Sequence, residues 1–314
     1  MNPRLVRTLT PERRFLLACA RIDADRDAVA RLAGDVRSWD RVLQESHRHH
    51  LLPLLSRASA GCEAVPSFVR DRAHEAQQRT QAVNSIYLRD AREALLAFAQ
   101  AGLSPVVLKG VSLAESLYPD IGLRAFCDLD ALFAIEDLER AEAVLRELGY
   151  EQEPSPHERD WYFEHYYQLP RFARRAGGFC VELHWDLGRR PYPFHLDLAD
   201  MQSRAVQGIA AGVPARVLDN EDLLLHLAVH LAWGNGFDGH VRGIVDIAEV
   251  IRRGVDWNRF EARVIEAGAA QVVVPSLELA AWLLDAPVPP NVLLVLGERR
   301  GGVLSRLATD VGQG

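Results

Sequence analysis

The chain has 314 residues, 48% apolar and 25% charged, with 36 basic against 43 acidic side chains and a formal net charge of −7. That length and apolar share give a core large enough for roughly two or three domains, while the acidic balance argues against unspecific polynucleotide binding, which relies on a basic surface. No apolar run approaches the ~20 residues of a membrane span or the uninterrupted apolar core of a secretion signal, and Cys19, Cys62, Cys127 and Cys180 lie far apart without a Cys-x-x-Cys spacing. A reducing cytoplasm, with neither a zinc knuckle nor a disulfide framework, is therefore expected.

Residues 1–101 read as helices. Pro11 opens an amphipathic run to Ile22; Asp25 to Val36, Trp39 to Arg48 and Leu51 to Ala58 follow, and Pro66 begins a long run to Gln100. His47, His49 and His50 fall at a helix end, where cationic or solvated side chains are favourable without any metal.

Residues 102–219 carry the chemistry. Val106 to Leu108 is a short apolar strand, followed by Lys109-Gly110 and a helix-like run from Val111 to Leu117. A strand, glycine turn and helix in that order favour an anion at the turn. Lys109 is the single lysine among the 36 basic residues, so 35 are arginine. Where the chain keeps one ammonium, a compact point charge suits a phosphate better than a planar fork does.

The next apolar run, to Ile135, is interrupted by Asp128 and Asp130, which share one face of a strand while Cys127, Leu129 and Ala131 take the other. Paired carboxylates on a buried strand need an offsetting cation or a shared proton, and Mg²⁺ or Mn²⁺ prefers such oxygens. The alternative is a turn cap or a pair with Arg124. Glu136 to Leu148 then has helical spacing and ends at Gly149.

Trp161, Tyr162, Phe163, Tyr166 and Tyr167 form a dense aromatic segment, read as packing with one ring free to stack on a base or acceptor. Arg171, Arg174 and Arg175 make a local basic patch for a phosphate-bearing partner. In the strand Phe179 to Leu187, Glu182, His184 and Asp186 alternate with Val181, Leu183 and Trp185. If that polar face abuts the Asp128/Asp130 face, Glu182 becomes a third carboxylate. His184 then orients a phosphate or acceptor hydroxyl, acts as a base, or is structural; Asp186 is a cap or salt-bridge partner.

Residues 220–314 return to a helical period. Glu221 to Trp233 places His226 and His230 at i and i+4, without the glutamate of a His-Glu-x-x-His zinc signature. Gly234 to Gly239 is a turn, and His240 to Ala248 opens a helix in which Arg242 and Asp246 can pair at i and i+4. Trp257 to Ala267 and Gln271 to Leu284 complete a helical tail that Pro287, Pro289 and Pro290 break, with loose order expected at the last residues.

Taken together, Leu108-Lys-Gly-x-x-Leu-Ala-x-x-Leu-Tyr118, Gly122-Leu-Arg124 and Asp128-Leu-Asp130 resemble the uncharacterised nucleotidyltransferases of the polymerase-beta-like superfamily, over roughly Leu103 to Glu249. The resemblance implies an α+β fold, a small mixed sheet flanked by helical N- and C-terminal regions. It implies catalytic and metal-holding roles for Asp128, Asp130 and Glu182 with Mg²⁺ or Mn²⁺. A nucleoside triphosphate would be held around Lys109, Gly110, Ser112 and Arg124, with His184, Arg242 and Asp246 beside the cleft. The activity implied is transfer of a nucleoside monophosphate to a hydroxyl-bearing acceptor: a small molecule, peptide, protein or RNA end. One departure stands out, because the Gly-Ser pair usual after the first strand is Lys109-Gly110 here, with Ser112 two residues on. That motivates a second reading, a non-catalytic nucleotide- or peptide-binding module, and a third in which the acids are structural and the helical surfaces act.

Overall fold

The computed structural model describes residues 9–174, 178–188, 191–234, 236–237 and 241–299. Arg175, Gly239, His240 and the tail beyond residue 299 lie outside them.

Among the described residues, five helices come first: α1 (Pro11–Cys19), α2 (Arg26–Ala33), α3 (Trp39–Arg48), α4 (Leu52–Ser59) and the 34-residue α5 (Ser67–Gln100). Their starts follow from sequence. The Thr10, Asp25 and Ser38 side chains each accept a backbone N–H of the first turn, satisfying donors that a helix leaves open. Phe15, Val29, Val42, Leu55 and Val69 bury their apolar sides together, each contributing about 2 kcal/mol of transfer free energy. α1 stops at Cys19, one turn short of Ile22.

Among the described residues, seven strands form one mixed sheet: β1 (Val106–Val107), β2 (Asp128–Leu132), β3 (Tyr150–Gln152), β4 (Phe172–Arg174), β5 (Cys180–His184), β6 (Val206–Ala210) and β7 (Val213–Val217), in the order β3-β4-β5-β2-β1-β7-β6. Between them run α6 (Gly110–Ser116), α7 (Leu138–Glu147), α8 (Arg159–His165) and α9 (Leu198–Arg204). The β6–β7 hairpin turns through Ala211 and Gly212, both at positive φ (51° and 66°), the geometry that suits the right-handed twist of a two-residue hairpin.

The two faces of β2 and β5 decide where the chemistry lies. Leu129, Ala131, Val181 and Leu183 turn toward Leu95 and Phe98 of α5, and the Phe98 and Phe133 rings meet edge to face at 5.2 Å. The alternate residues Asp128, Asp130, Glu182 and His184 therefore point to the opposite face. A register slip of one residue would bury the acids against α5, so the apolar set fixes the register.

On that opposite face, Leu108 and Leu132 share a cluster with Leu224, Val245, Ile247 and Val273 from the C-terminal helices. These are α10 (Asn220–Val229), α11 (Val241–Arg253), α12 (Trp257–Ala267), α13 (Ala270–Leu284) and α14 (Pro290–Glu298). The run expected to continue to Trp233 instead changes to a π-helical turn at His230–Gly234. The proline cluster separates α13, which ends at Leu284, from α14. Pro290 occupies the first turn of α14, where its missing N–H costs nothing. No described helix is long and apolar enough to cross a membrane.

Candidate active site

β2 and β5 pair in parallel with Asp130 opposite Glu182 and Leu132 opposite His184, so the adjoining faces anticipated from the two sequence patterns are one surface. His184 Nε2 lies 3.1 Å from Asp130 Oδ1 and 3.5 Å from Glu182 Oε2. Lys109, at the end of β1, donates from Nζ to the same Asp130 Oδ1 at 2.5 Å. Gly110 is needed where it stands: its φ is +40°, and a Cβ there would sit 3.4 Å from Asp128 Oδ1 and 3.6 Å from Asp130 Oδ2. At that φ an L side chain is strained, and a Cβ would also press on the Asp128 carbonyl at 3.3 Å, so glycine suits the turn. The helix that follows has seven residues, so the positive character at this turn rests on the Lys109 ammonium rather than on a helix dipole.

The electrostatics separate the two aspartates. Burial alone would raise the Asp130 carboxyl, but Lys109 and His184 outweigh it and hold it well below the usual carboxylate range. Asp128 is pushed up to about 6, first by burial and then by the Asp130 charge, with Lys109 opposing. Burial works against the Lys109 ammonium, yet Asp130, Asp128 and Glu182 keep its pKa above the ordinary value. His184 likewise stays raised despite burial, through Asp130 and Glu182.

Three ligand atoms, one each from Asp130, Glu182 and His184, lie within 4.8 Å of one another and could hold a metal ion. Asp130 Oδ2 is buried without a hydrogen-bond partner. A carboxylate oxygen left so, 2% residue exposure notwithstanding, is what a hard divalent cation satisfies. Of the three acids read from sequence, Asp130 and Glu182 lie in this cluster together with His184.

These groups open into a cleft of about 620 Å³ whose wall includes Lys109, Gly110, Arg124, Asp128, Asp130, Glu182, Arg242 and Asp246. Two expected residues are absent from that wall: Ser112, buried within α6, and His184, buried behind Asp130. The expected Arg242–Asp246 pair does not form. Asp246 accepts instead from Arg124, Nε to Oδ1 at 3.0 Å and Nη2 to Oδ2 at 2.8 Å, and from the Tyr118 hydroxyl at 2.7 Å. Arg124 also donates from Nη1 to the Gly110 carbonyl at 3.1 Å. Arg242 donates to the Ala125 carbonyl at 3.0 Å and has no carboxylate partner among the described residues. With both Asp246 oxygens already accepting from the planar Arg124 fork, no room is left for a second bidentate donor.

Outside the cleft, the two described arginines of the basic patch are paired: Arg171 with Glu153 at 2.7 Å and Arg174 with Glu93 at 2.6 Å. Trp161 is sandwiched between His157 and His165, while Tyr167 reaches the cleft wall with its ring 5.6 Å from that of His184. Asp186 accepts from the Leu187 N–H and the Tyr192 hydroxyl. Sequence reasoning passed over Tyr118, although it closes the Leu-Lys-Gly motif, and weighed His230 as a zinc ligand rather than as a cleft residue.

The His226 and His230 ring centroids are 6.1 Å apart. Both are held neutral, first by burial and then by Lys109, His230 down to about 3. Neither ring nitrogen of His226, 2% exposed, has a hydrogen-bond partner. Because the folded-state pKa lies below the unfolded value, the unfolded chain takes up protons that the folded one refuses. Stability is therefore intact above pH ~6.5 and falls as the pH drops toward 3, by up to about 1.4 kcal/mol per pH unit for each residue. Melting curves from pH 7.5 to 5 will show this fall, and the double variant His226→Leu/His230→Gln will flatten it. An unchanged slope in that variant would show that other groups carry the acid sensitivity.

Comparison with solved structures gives two low-similarity likenesses from Helicobacter pylori. JHP933 is 16% identical, with 74% of this chain and 95% of that chain covered at a TM-score of 0.32. A second protein, named provisionally as a nucleotidyltransferase, is 16% identical, with 73% and 97% covered at a TM-score of 0.33. No curated protein matches the chain. The family described as "Uncharacterised nucleotidyltransferase" matches residues 35–285, taking in most of the N-terminal helices as well as the sheet and α10 to α13. With the strand-borne acids and the Lys109-Gly110 turn inside that span, the chain belongs to the uncharacterised nucleotidyltransferase family.

Proposed function

We propose that the protein transfers a nucleoside monophosphate from a nucleoside triphosphate to a hydroxyl-bearing acceptor, with Asp128, Asp130 and Glu182 as its catalytic carboxylates. The observation that carries this reading is the buried, partnerless Asp130 Oδ2 in the cluster with Glu182 and His184. Asp130, Glu182 and Asp128 would hold Mg²⁺ or Mn²⁺, with His184 bracing Asp130 or joining the donor set. A divalent cation bound there supplies charge neutralisation for the phosphates.

The remaining work falls to the chain's own groups. Lys109 exchanges its bond to Asp130 for the triphosphate, Arg242 adds a cation not committed to any carboxylate, and Arg124 fixes the Gly110 carbonyl so that the turn keeps its shape. Phosphoryl-type transfer needs chiefly positioning and electrostatics, which suits a cleft without an activated nucleophile.

A second reading is favoured by one contact. Lys109 Nζ already occupies a cation position against Asp130, as in a nucleotide-binding module without turnover. The two readings part in one experiment: incubation with each of the four NTPs, with Mg²⁺, Mn²⁺ or neither, following melting temperature and pyrophosphate together. Transfer predicts a metal-dependent rise in melting temperature and pyrophosphate release; binding without turnover predicts the rise alone. Lys109→Arg should weaken nucleotide binding about tenfold, because a fork cannot replace the point charge between Asp130 and phosphate. Binding equal to wild type would end the role given to the lone lysine.

A further inference from the structure

A second groove of about 560 Å³ adjoins the cleft. One wall is the face of α5 bearing Arg72, Ala76, Arg79 and Thr80; the other is the end of α3 and the start of α4, with His47 and His50. His50 and Ala125 line both spaces. Ala125 is three residues before Asp128, and its carbonyl is pinned by Arg242 at 3.0 Å. His50 turns the chain at φ +57°, a conformation that costs a non-glycine residue energy and that persists chiefly where the surroundings demand it.

Two arginines and one acid line the groove, and the Arg72 side chain is 72% exposed. Against Arg72 and Arg79 it carries a single acid, Glu75, which lies 3.7 Å from Arg72; Arg79 has no carboxylate partner among the described residues. The two arginines stand seven residues apart on one helix, about 10 Å, too short a track for a polynucleotide. The chain's net charge of −7 also disfavours one.

We infer that this groove is the acceptor subsite and takes a small, hydroxyl-bearing phosphomonoester, an inference that rests on the nucleotidyl-transfer reading. Arg72 and Arg79 hold the acceptor's phosphate, and its hydroxyl enters the cleft past Ala125. There the hydroxyl oxygen bonds to the α-phosphorus while the bond from that phosphorus to the bridging oxygen of the β-phosphate breaks. Pyrophosphate leaves with the electron pair and the hydroxyl proton passes to water.

The test is calorimetric titration of the full chain with glycerol 3-phosphate and ribose 5-phosphate, and with glycerol and ribose as uncharged counterparts. Each titration is run on free protein and on protein filled with Mg²⁺ and an α,β-methylene NTP analogue. The phosphomonoesters should bind in both states and the polyols in neither. Arg72→Ala/Arg79→Ala should weaken binding by about tenfold or more while leaving the nucleotide-induced rise in melting temperature intact. Four results overturn the inference: no phosphomonoester binding, binding that survives the double substitution, binding lost when the nucleotide fills the cleft, or a single-stranded oligonucleotide bound through the same arginines instead. Arginine-dependent phosphomonoester binding in a protein that responds to no nucleotide would keep the groove's ligand class and overturn the transfer reading.

Discussion

Asp130→Asn is expected to abolish the metal-dependent rise in melting temperature with NTP and to lower pyrophosphate release about a thousandfold, the rate equivalent of the several kcal/mol that a bound divalent ion contributes to a phosphoryl transition state. The two Asp130 oxygens have different duties. Oδ1 accepts from Lys109 and faces His184, while Oδ2 is buried with nothing to accept from. Asparagine keeps the volume, so Leu129 and Ala131 stay packed on the α5 side, but it surrenders the charge and replaces one oxygen with a donor. The loss should appear in both readouts at once. Turnover within a few-fold of wild type would show that Asp130 is a structural partner of Lys109, and the three-carboxylate account of the site would fall with it.

Asp246→Ala should be the most destabilising single change around the cleft. Arg124 and Asp246 are both nearly inaccessible, with side chains 6% and 3% exposed, and burial of the Arg124 guanidinium is outweighed by Asp246, which keeps it firmly charged. Removing the acid strands that cation and the Tyr118 hydroxyl, at about 3–5 kcal/mol and a melting point lower by about 10 °C. Nucleotide affinity should fall as well, because Arg124 is the donor that fixes the Gly110 carbonyl. The double variant Arg124→Met/Asp246→Leu, which removes both charges, should recover much of the stability without recovering nucleotide binding. Equal melting temperatures for Asp246→Ala and wild type would show that the pair does not hold the sheet to α11.

Most helices were legible in the sequence because each depends on neighbours within a few residues. Apolar spacing, Pro11 at the start of the first run and the Gly149 stop are local signals, and the structure follows them. The acid-bearing strands were legible for the same reason: alternation puts Asp128 with Asp130, and Glu182 with His184, on one face of an extended chain whatever lies beside it. The lone lysine stood out by composition. Strands of three residues such as β3 and β4 are too short to show a period, and the π-helical turn after α10 has no sequence pattern of its own.

What only the tertiary structure decided is partnership across long separations. Asp130 meets Glu182 because β2 and β5 pair in parallel, and no residue pattern states that these two strands are neighbours. Asp246 takes Arg124, 122 residues away, in preference to Arg242 one helical turn back. Local spacing offers a pair, but a buried carboxylate goes to the donor that can fill both oxygens and be buried with it. The same holds for the groove between α5 and the α3–α4 corner: its arginines are ordinary helix-surface residues until the fold sets them beside Ala125 and the cleft.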